Sequence, residues 1–64
     1  MYNMKEQVGD LEIQTRLVRG VWITEYLRNG VVAETFAATT SPDRARKNHM
    51  YVVSRQKKLL NASV

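Results

Sequence analysis

Cysteine is absent from this chain of 64 residues, and histidine occurs only at position 49. Without cysteine there can be no disulfide and no thiolate metal site, and a single histidine excludes an all-histidine metal site. A domain of this length buries only about 60% of the surface that its unfolded chain exposes. Its stability must therefore come from a well-packed small core or from self-association, which makes a homodimer one expectation.

Long apolar runs are missing as well. No segment approaches the roughly 20 apolar residues of a membrane-spanning helix, and the first ten residues, MYNMKEQVGD, lack the apolar run of a secretion signal. No nucleophile–base set and no glycine-rich phosphate loop can be recognised, and so short a chain cannot enclose a deep pocket. We therefore expect a single cytoplasmic domain over 1–64 with no membrane contact, no cofactor, no metal and no enzymatic activity.

Three stretches have the composition of β-strands. In LEIQTRL, 11–17, apolar and polar residues alternate with the period of two that is typical of a half-buried strand. VWITEYLR, 21–28, and VVAETFAA, 31–38, are rich in β-branched and aromatic residues. Residues 1–10 lack such a pattern and end in a Gly-Asp break signal, so we predict a loop or tail there.

A long helix is predicted over 42–60. Ser41 is a suitable N-cap, Pro42 suits the first helical position, and Asp43 complements the positive end of the helix dipole. One side of this helix carries residues that recur with the helical period and would face the sheet: Ala45, His49, Val52, Val53, Gln56, Leu59 and Leu60. The sequence therefore predicts an α+β fold in which one C-terminal helix covers a three-stranded antiparallel sheet.

The pairing of the second and third predicted strands has two alternatives. Asn29-Gly30 is a strong β-hairpin signal, because both residues tolerate positive φ. A turn of only these two residues would place Glu25 opposite Glu34, and such like charges repel each other across a strand pair. Two opposed carboxylates would share a proton, as in some catalytic sites, and this is the one enzymatic hypothesis that the sequence offers.

A three-residue loop containing a bulge would shift the pairing by one residue. Trp22 would then lie opposite Phe36 and Tyr26 opposite Val32, and the two glutamates would move to opposite faces. We favour this register because it removes the carboxylate repulsion and pairs two large aromatic side chains in the core. The two-residue turn would instead leave Trp22, Tyr26 and Arg28 as a surface row.

The positive charge is concentrated in the predicted helix. The chain has ten basic and six acidic residues and a net charge of +4, and the segment 42–60 holds six of those bases with a single acid. Five residues of this segment recur at spacings of three and four and form what we call the basic stripe: Arg44, Lys47, Tyr51, Arg55 and Lys58. Cations on either side of an aromatic ring suit a nucleic-acid backbone, because the cations displace counterions and the ring packs on sugar or base. The alternative is a solvated outer helix face, where lysine and arginine are common.

The stretch GVWITEYLRNGVVAETFAATTSPDRA, 20–45, resembles the arm-type DNA-binding module of phage and transposon tyrosine integrases, and plant ethylene-response-factor domains are similar. A tryptophan on one strand is followed by a glycine turn, a phenylalanine, and a helix with an alanine in its first turn. In that family the sheet enters the major groove, which implies a DNA-contacting row here: Arg16, Trp22, Thr24, Tyr26 and Arg28. The chain departs from the family in having no recombinase domain and in carrying its positive charge on the helix.

We therefore expect a small non-enzymatic protein that binds DNA or RNA, with affinity from the helix and any specificity from the sheet. A basic protein of this size also resembles small phage or prophage accessory proteins, which often act on a host enzyme. The alternative expectation is accordingly a protein-binding modulator or inhibitor of a host enzyme. His49, on the apolar side of the helix, is expected at the edge of the core rather than in a catalytic or metal site.

Overall fold

The computed structural model describes residues 3–62, which form four β-strands followed by one α-helix. The strands form one antiparallel sheet in the order of the chain, and the helix packs on one of its faces. The elements are β1 (Met4–Val8), β2 (Leu11–Val18), β3 (Val21–Arg28), β4 (Val31–Thr39) and α1 (Pro42–Ala62). The predicted α+β class and C-terminal helix are confirmed, whereas the predicted number of three strands is wrong because the sheet has four.

The additional strand, β1, lies within the segment 1–10 that was predicted to be a loop or tail. β1 is an edge strand of five residues, and only Val8 at its end is buried, so its side chains lack the apolar alternation of a half-buried strand. The Gly-Asp pair that indicated a break is a two-residue hairpin turn, which places Val8 opposite Leu11. Gly9 has φ +59°, a conformation that glycine adopts at little cost.

The other two hairpins also close with two-residue turns. Arg19 and Gly20 have φ values of 50° and 81°, and Asn29 and Gly30 have 56° and 80°. Two consecutive positive φ values are the mark of a type I′ turn, whose twist matches that of the flanking strands. The Asn-Gly hairpin is therefore present, and its turn is the tight form rather than the three-residue loop that we favoured.

The pairing of β3 with β4 follows neither predicted register along its whole length. It begins as the two-residue turn requires, with Arg28 opposite Val31, and then shifts twice. Trp22 lies opposite Thr39 rather than Phe36, so that expected aromatic pair is wrong. The shifts skip residues 33 and 36 of β4, which therefore contains two β-bulges.

The second bulge turns two consecutive side chains of β4 toward the helix. Phe36 and Ala37 both line the space between β4 and α1, which regular alternation along a strand would not allow. The Phe36 ring lies with its centroid 5.0 Å from that of Tyr26, at an interplanar angle of 38°. The bulge therefore brings an aromatic residue of the edge strand onto the core.

The core lies between α1 and the sheet. Val8 and Ile13 of the sheet pack against Val52 and Val53 of α1, with Tyr26 and Phe36 at the margin of this cluster. Ala45, His49, Val52 and Val53 are buried as the helical period predicted. Leu59 and Leu60, predicted for the same face, are 51% and 49% exposed. Leu60 lies beside Gly9 of the β1–β2 turn, so the last turn of α1 lies at the end of the sheet, where it is only partly covered.

The centre of the core is polar. Thr15 and Thr24 are 0% and 1% exposed, and their hydroxyl oxygens lie 2.8 Å apart. The Thr15 hydroxyl is also 2.9 Å from Nδ1 of His49 on α1. Within the described residues no buried side-chain nitrogen or oxygen lacks a hydrogen-bond partner. The network therefore satisfies its own polar atoms, as a buried polar group must if it is not to destabilise the fold.

Ser41 caps the helix as the sequence predicted. Its hydroxyl oxygen accepts a 3.2 Å hydrogen bond from the amide of Arg44, and its carbonyl accepts a 2.9 Å bond from the amide of Ala45. Pro42 is the first helical residue, where its missing N–H leaves no hydrogen bond unmade. The cap fixes the start of α1 and therefore the direction of its exposed side relative to the sheet.

Candidate nucleic-acid interface

The basic stripe lies on the solvent side of α1. All five of its side chains are exposed, and Tyr51 is 64% exposed. At a rise of 1.5 Å per residue, the stripe extends for about 21 Å along the helix from Arg44 to Lys58. The helical spacing thus places four cations and one aromatic ring on a single accessible surface.

The six basic residues of α1 form two groups that differ in their partners. Nη1 of Arg46 lies 3.8 Å from the carboxylate of Asp43, and Nζ of Lys57 lies 3.6 Å from that of Glu6 on β1. Within residues 3–62, no carboxylate oxygen lies within 4.0 Å of a cation of the basic stripe. At 3.6 residues per turn, Arg46 and Lys57 lie roughly 120° around the helix from the stripe. Two cations of α1 therefore lie within ion-pair distance of a carboxylate, and within the described residues the four cations of the stripe do not.

Tyr51 and Arg55 form the middle of the stripe. They are one helical turn apart, and Nη1 of Arg55 lies 3.5 Å from the Tyr51 hydroxyl oxygen. This distance is beyond the usual range of a strong hydrogen bond, and a guanidinium has five N–H donors. Arg55 therefore retains donors for a phosphate while its guanidinium stays close to an exposed ring.

The sheet residues predicted to contact nucleic acid do not share one surface. Trp22 is 9% exposed and Thr24 1% exposed, and both lie on the face of the sheet that α1 covers. Tyr26 is half-buried on that same face. Arg28 also lies on it, at the end of β3, where its side chain is exposed. Arg16 lies on the opposite face of the sheet, which we call the distal face. The row implied by the resemblance to integrase modules is therefore not assembled in this fold.

The paired carboxylates of the enzymatic hypothesis are also separated. Glu25 points to the distal face, where it is 3% exposed and accepts hydrogen bonds from Nε of Arg16 at 2.6 Å and Nε2 of Gln14 at 2.9 Å. Glu34 pairs with Tyr26, whose hydroxyl donates a 3.3 Å bond to it, on the other face. The separation of the two glutamates onto opposite faces, which we expected, is confirmed. The direct opposition of two carboxylates that the hypothesis needs is therefore not present.

A groove of about 340 Å³ runs beside the basic stripe, between β4 and α1. Its floor is apolar and consists of Phe36 and Ala37 from β4 and Val52 from α1. Tyr51 and Arg55 belong both to the groove and to the stripe. The stripe and the groove are therefore one continuous surface, joined at Tyr51 and Arg55.

Two side-chain amides complete the lining of this groove, those of Asn48 and Gln56. Neither amide makes a hydrogen bond to another group within residues 3–62. An amide both donates and accepts hydrogen bonds, so each is available to a polar ligand.

Sequence reasoning missed the groove because its β4 side depends on a bulge. The helical side had a usable signal, since Asn48, Tyr51, Val52 and Arg55 have the spacing of one helix edge.

Comparison with known proteins gives no similarity from which a function could be transferred. No family model, curated protein or solved structure matches the chain. Among residues 3–62 no helix has the length and apolar character that crossing a membrane requires. The same residues contain no cluster of histidine, aspartate and glutamate side chains placed to hold a metal ion.

Proposed function

We propose that this protein binds nucleic acid through the basic stripe of α1. The supporting observation is the division of the helix cations: two lie within 4.0 Å of a carboxylate, and within residues 3–62 the four of the stripe do not. Unpaired cations that are 3–4 residues apart repel one another mildly, so an arrangement of this kind gains stability from a polyanion. Phosphates would replace the missing carboxylates and release the counterions that surround the nucleic acid.

The salt dependence of binding tests this proposal. We expect the dissociation constant for labelled oligonucleotides, measured by fluorescence anisotropy, to rise with salt along a straight line on logarithmic axes. Four phosphate contacts correspond to a slope of about 3 to 4. A slope near zero, or no binding at low salt, would contradict the proposal.

A pair of double variants with equal charge provides the control. Replacing Lys47 and Arg55 by glutamine removes two stripe cations, and we expect affinity to fall roughly tenfold to hundredfold near 0.1 M salt, with a shallower slope. Replacing Arg46 and Lys57 by glutamine removes the same charge from the other side of the helix. Because charges beyond about 10 Å are screened at this ionic strength, we expect the second variant to lose much less. Equal losses would indicate a response to net charge rather than a site.

A second candidate function is the binding of a host protein. The observation that favours it is the exposure of apolar side chains: Met50 is 64% exposed, and Val31 and Val32 are 68% and 45% exposed. The two functions are distinguished by affinity capture from lysate with and without nuclease. Recovery of one protein in both samples would favour the protein partner, and loss of all captured material after nuclease would favour nucleic acid.

A further inference from the structure

We infer that the nucleic acid is single-stranded and that the groove between β4 and α1 holds one of its unpaired bases. This inference rests on the proposed function and extends it to the class of nucleic acid and to a second part of the site. It starts from the position of the groove, which shares Tyr51 and Arg55 with the basic stripe. A strand whose phosphates lie along the stripe has its bases within reach of the groove.

The chemistry of the groove matches a base rather than a phosphate. Its floor of Phe36, Ala37 and Val52 is apolar, so it favours a flat uncharged ring. Its volume of about 340 Å³ lies at the lower end of the range for ligand sites, so a single ring system fits within it. Aromatic side chains bind bases by stacking, which is tolerant of sequence because every base has a π-face.

The polar groups of the groove fit the edge of a base. The amides of Asn48 and Gln56 have no protein partner within residues 3–62, and each can both donate and accept. In a duplex the Watson–Crick edge of each base is paired, and both faces of its ring are stacked on neighbouring bases. A base can therefore enter the groove only from a strand that is already unpaired, whereas the stripe alone would accept either form.

Three DNA probes of equal length test the inference with the full chain at one low salt concentration. They are a labelled ten-nucleotide single strand, the same strand in a duplex, and a single strand of the same length whose sugars carry no bases. We expect the intact single strand to bind at least about tenfold more tightly than the other two, because stacking of a base has an effect of that size.

Substitutions at two neighbouring alanines test whether the groove is the source of the single-strand preference. Ala37→Leu fills the groove without changing any charge, and we expect it to reduce single-strand affinity to that of the duplex. Ala38→Leu is the matched control, since Ala38 pairs with Ile23 on the distal face and is exposed. If circular dichroism shows that the first variant is misfolded, Asn48→Leu, on α1, replaces it.

The outcomes separate the inference from the proposed function. The single-strand inference would be overturned if all three probes bound equally or if the duplex bound more tightly. If binding still depended on Lys47 and Arg55, the stripe would remain as a nucleic-acid site. Absence of binding to every probe at low salt would overturn both. A single-strand preference that persists in Ala37→Leu and in Asn48→Leu would exclude the groove as its source and so overturn the inference.

Discussion

His49 lies in the core, where its Nδ1 is hydrogen-bonded to the hydroxyl of Thr15. The side chain is 6% exposed. Burial lowers the pKa of His49 below its ordinary value of 6.5, and the negative charge of Glu6 opposes this effect less strongly. Lys57 also lies beside Glu6, with its Nζ 3.6 Å from the carboxylate. The folded protein therefore favours the neutral imidazole.

The stability of the protein should depend on pH through this residue. The folded state binds the His49 proton more weakly than the unfolded state, so the free energy of unfolding is fully present above pH 6.5. We expect it to fall as the pH decreases from 6.5 through the lowered pKa, with a slope no steeper than about 1.4 kcal/mol per pH unit. Urea unfolding between pH 7.5 and 5 measures this, and His49→Gln should remove most of the slope. An unchanged slope in that variant would assign the effect to other groups.

The burial of a single residue can be predicted where it follows from the helical or strand period. His49 and Thr15 share a phase with apolar neighbours in the sequence, and both are buried. Their mutual hydrogen bond could not be predicted, because it joins positions 34 apart and depends on how α1 is placed over β2. Glu25 is the opposite case: a strand glutamate suggests solvent, yet its partners on β2 hold it at 3% exposure.

Among the structural elements, the β2–β3 hairpin has an unfavourable turn. Arg19 has φ 50°, where a side chain other than asparagine, aspartate or glycine is strained, while Asn29 occupies the equivalent position in the β3–β4 hairpin. We expect Arg19→Asn to stabilise the protein by about 0.5 kcal/mol, part of the roughly 1–2 kcal/mol penalty for left-handed backbone. This corresponds to an increase of about 2–4 °C in the melting temperature.

Arg19→Ala is the control for the charge of this arginine. It removes the cation but retains a side chain that disfavours positive φ, so its melting temperature should stay close to that of the native sequence. Equal stabilisation by the alanine and asparagine variants would show that the charge, and not the turn conformation, is responsible. Thermal unfolding followed by circular dichroism is sufficient for the comparison.

The elements differ in how far the sequence determined them. α1 was predicted from its cap and apolar period, and the strands over 21–28 and 31–38 from β-branched and aromatic residues. β1 was missed because an edge strand is solvated and its MKEQV sequence has no apolar alternation. The bulges of β4 were missed because they are set by packing against Tyr26 and α1, which no local pattern records.

At the scale of the whole molecule, the protein is a two-layer structure in which one face of the sheet is covered by α1. Ile13 and Ile23 lie on different faces: Ile13 is 0% exposed beneath the helix, whereas Ile23 is half-buried on the distal face. The distal face also carries Leu27 and Val32, which pair across β3 and β4. An identical substitution at the two isoleucines therefore compares the two faces directly.

We expect Ile13→Ala to destabilise the protein by about 2–5 kcal/mol, as for other fully buried isoleucines, and Ile23→Ala to cost less than half as much. Denaturant unfolding of both variants measures the difference. Isoleucine-to-valine changes at the same positions keep the comparison measurable if the first variant does not fold. An equal cost at the two positions would mean that the distal face is covered in solution, and a dependence of stability on protein concentration would then identify a second copy as the cover.

The two bulges of β4 also affect what can add to the sheet. β4 is an edge strand, and its two bulges divide it into regular stretches of no more than three residues. A strand from another molecule that aligned with this edge would lose the hydrogen-bond ladder twice within nine residues. At the other edge, β1 is short and carries Lys5 and Glu6. The protein should therefore resist growth into sheet-like aggregates at concentrations where an uninterrupted edge of the same length would promote them.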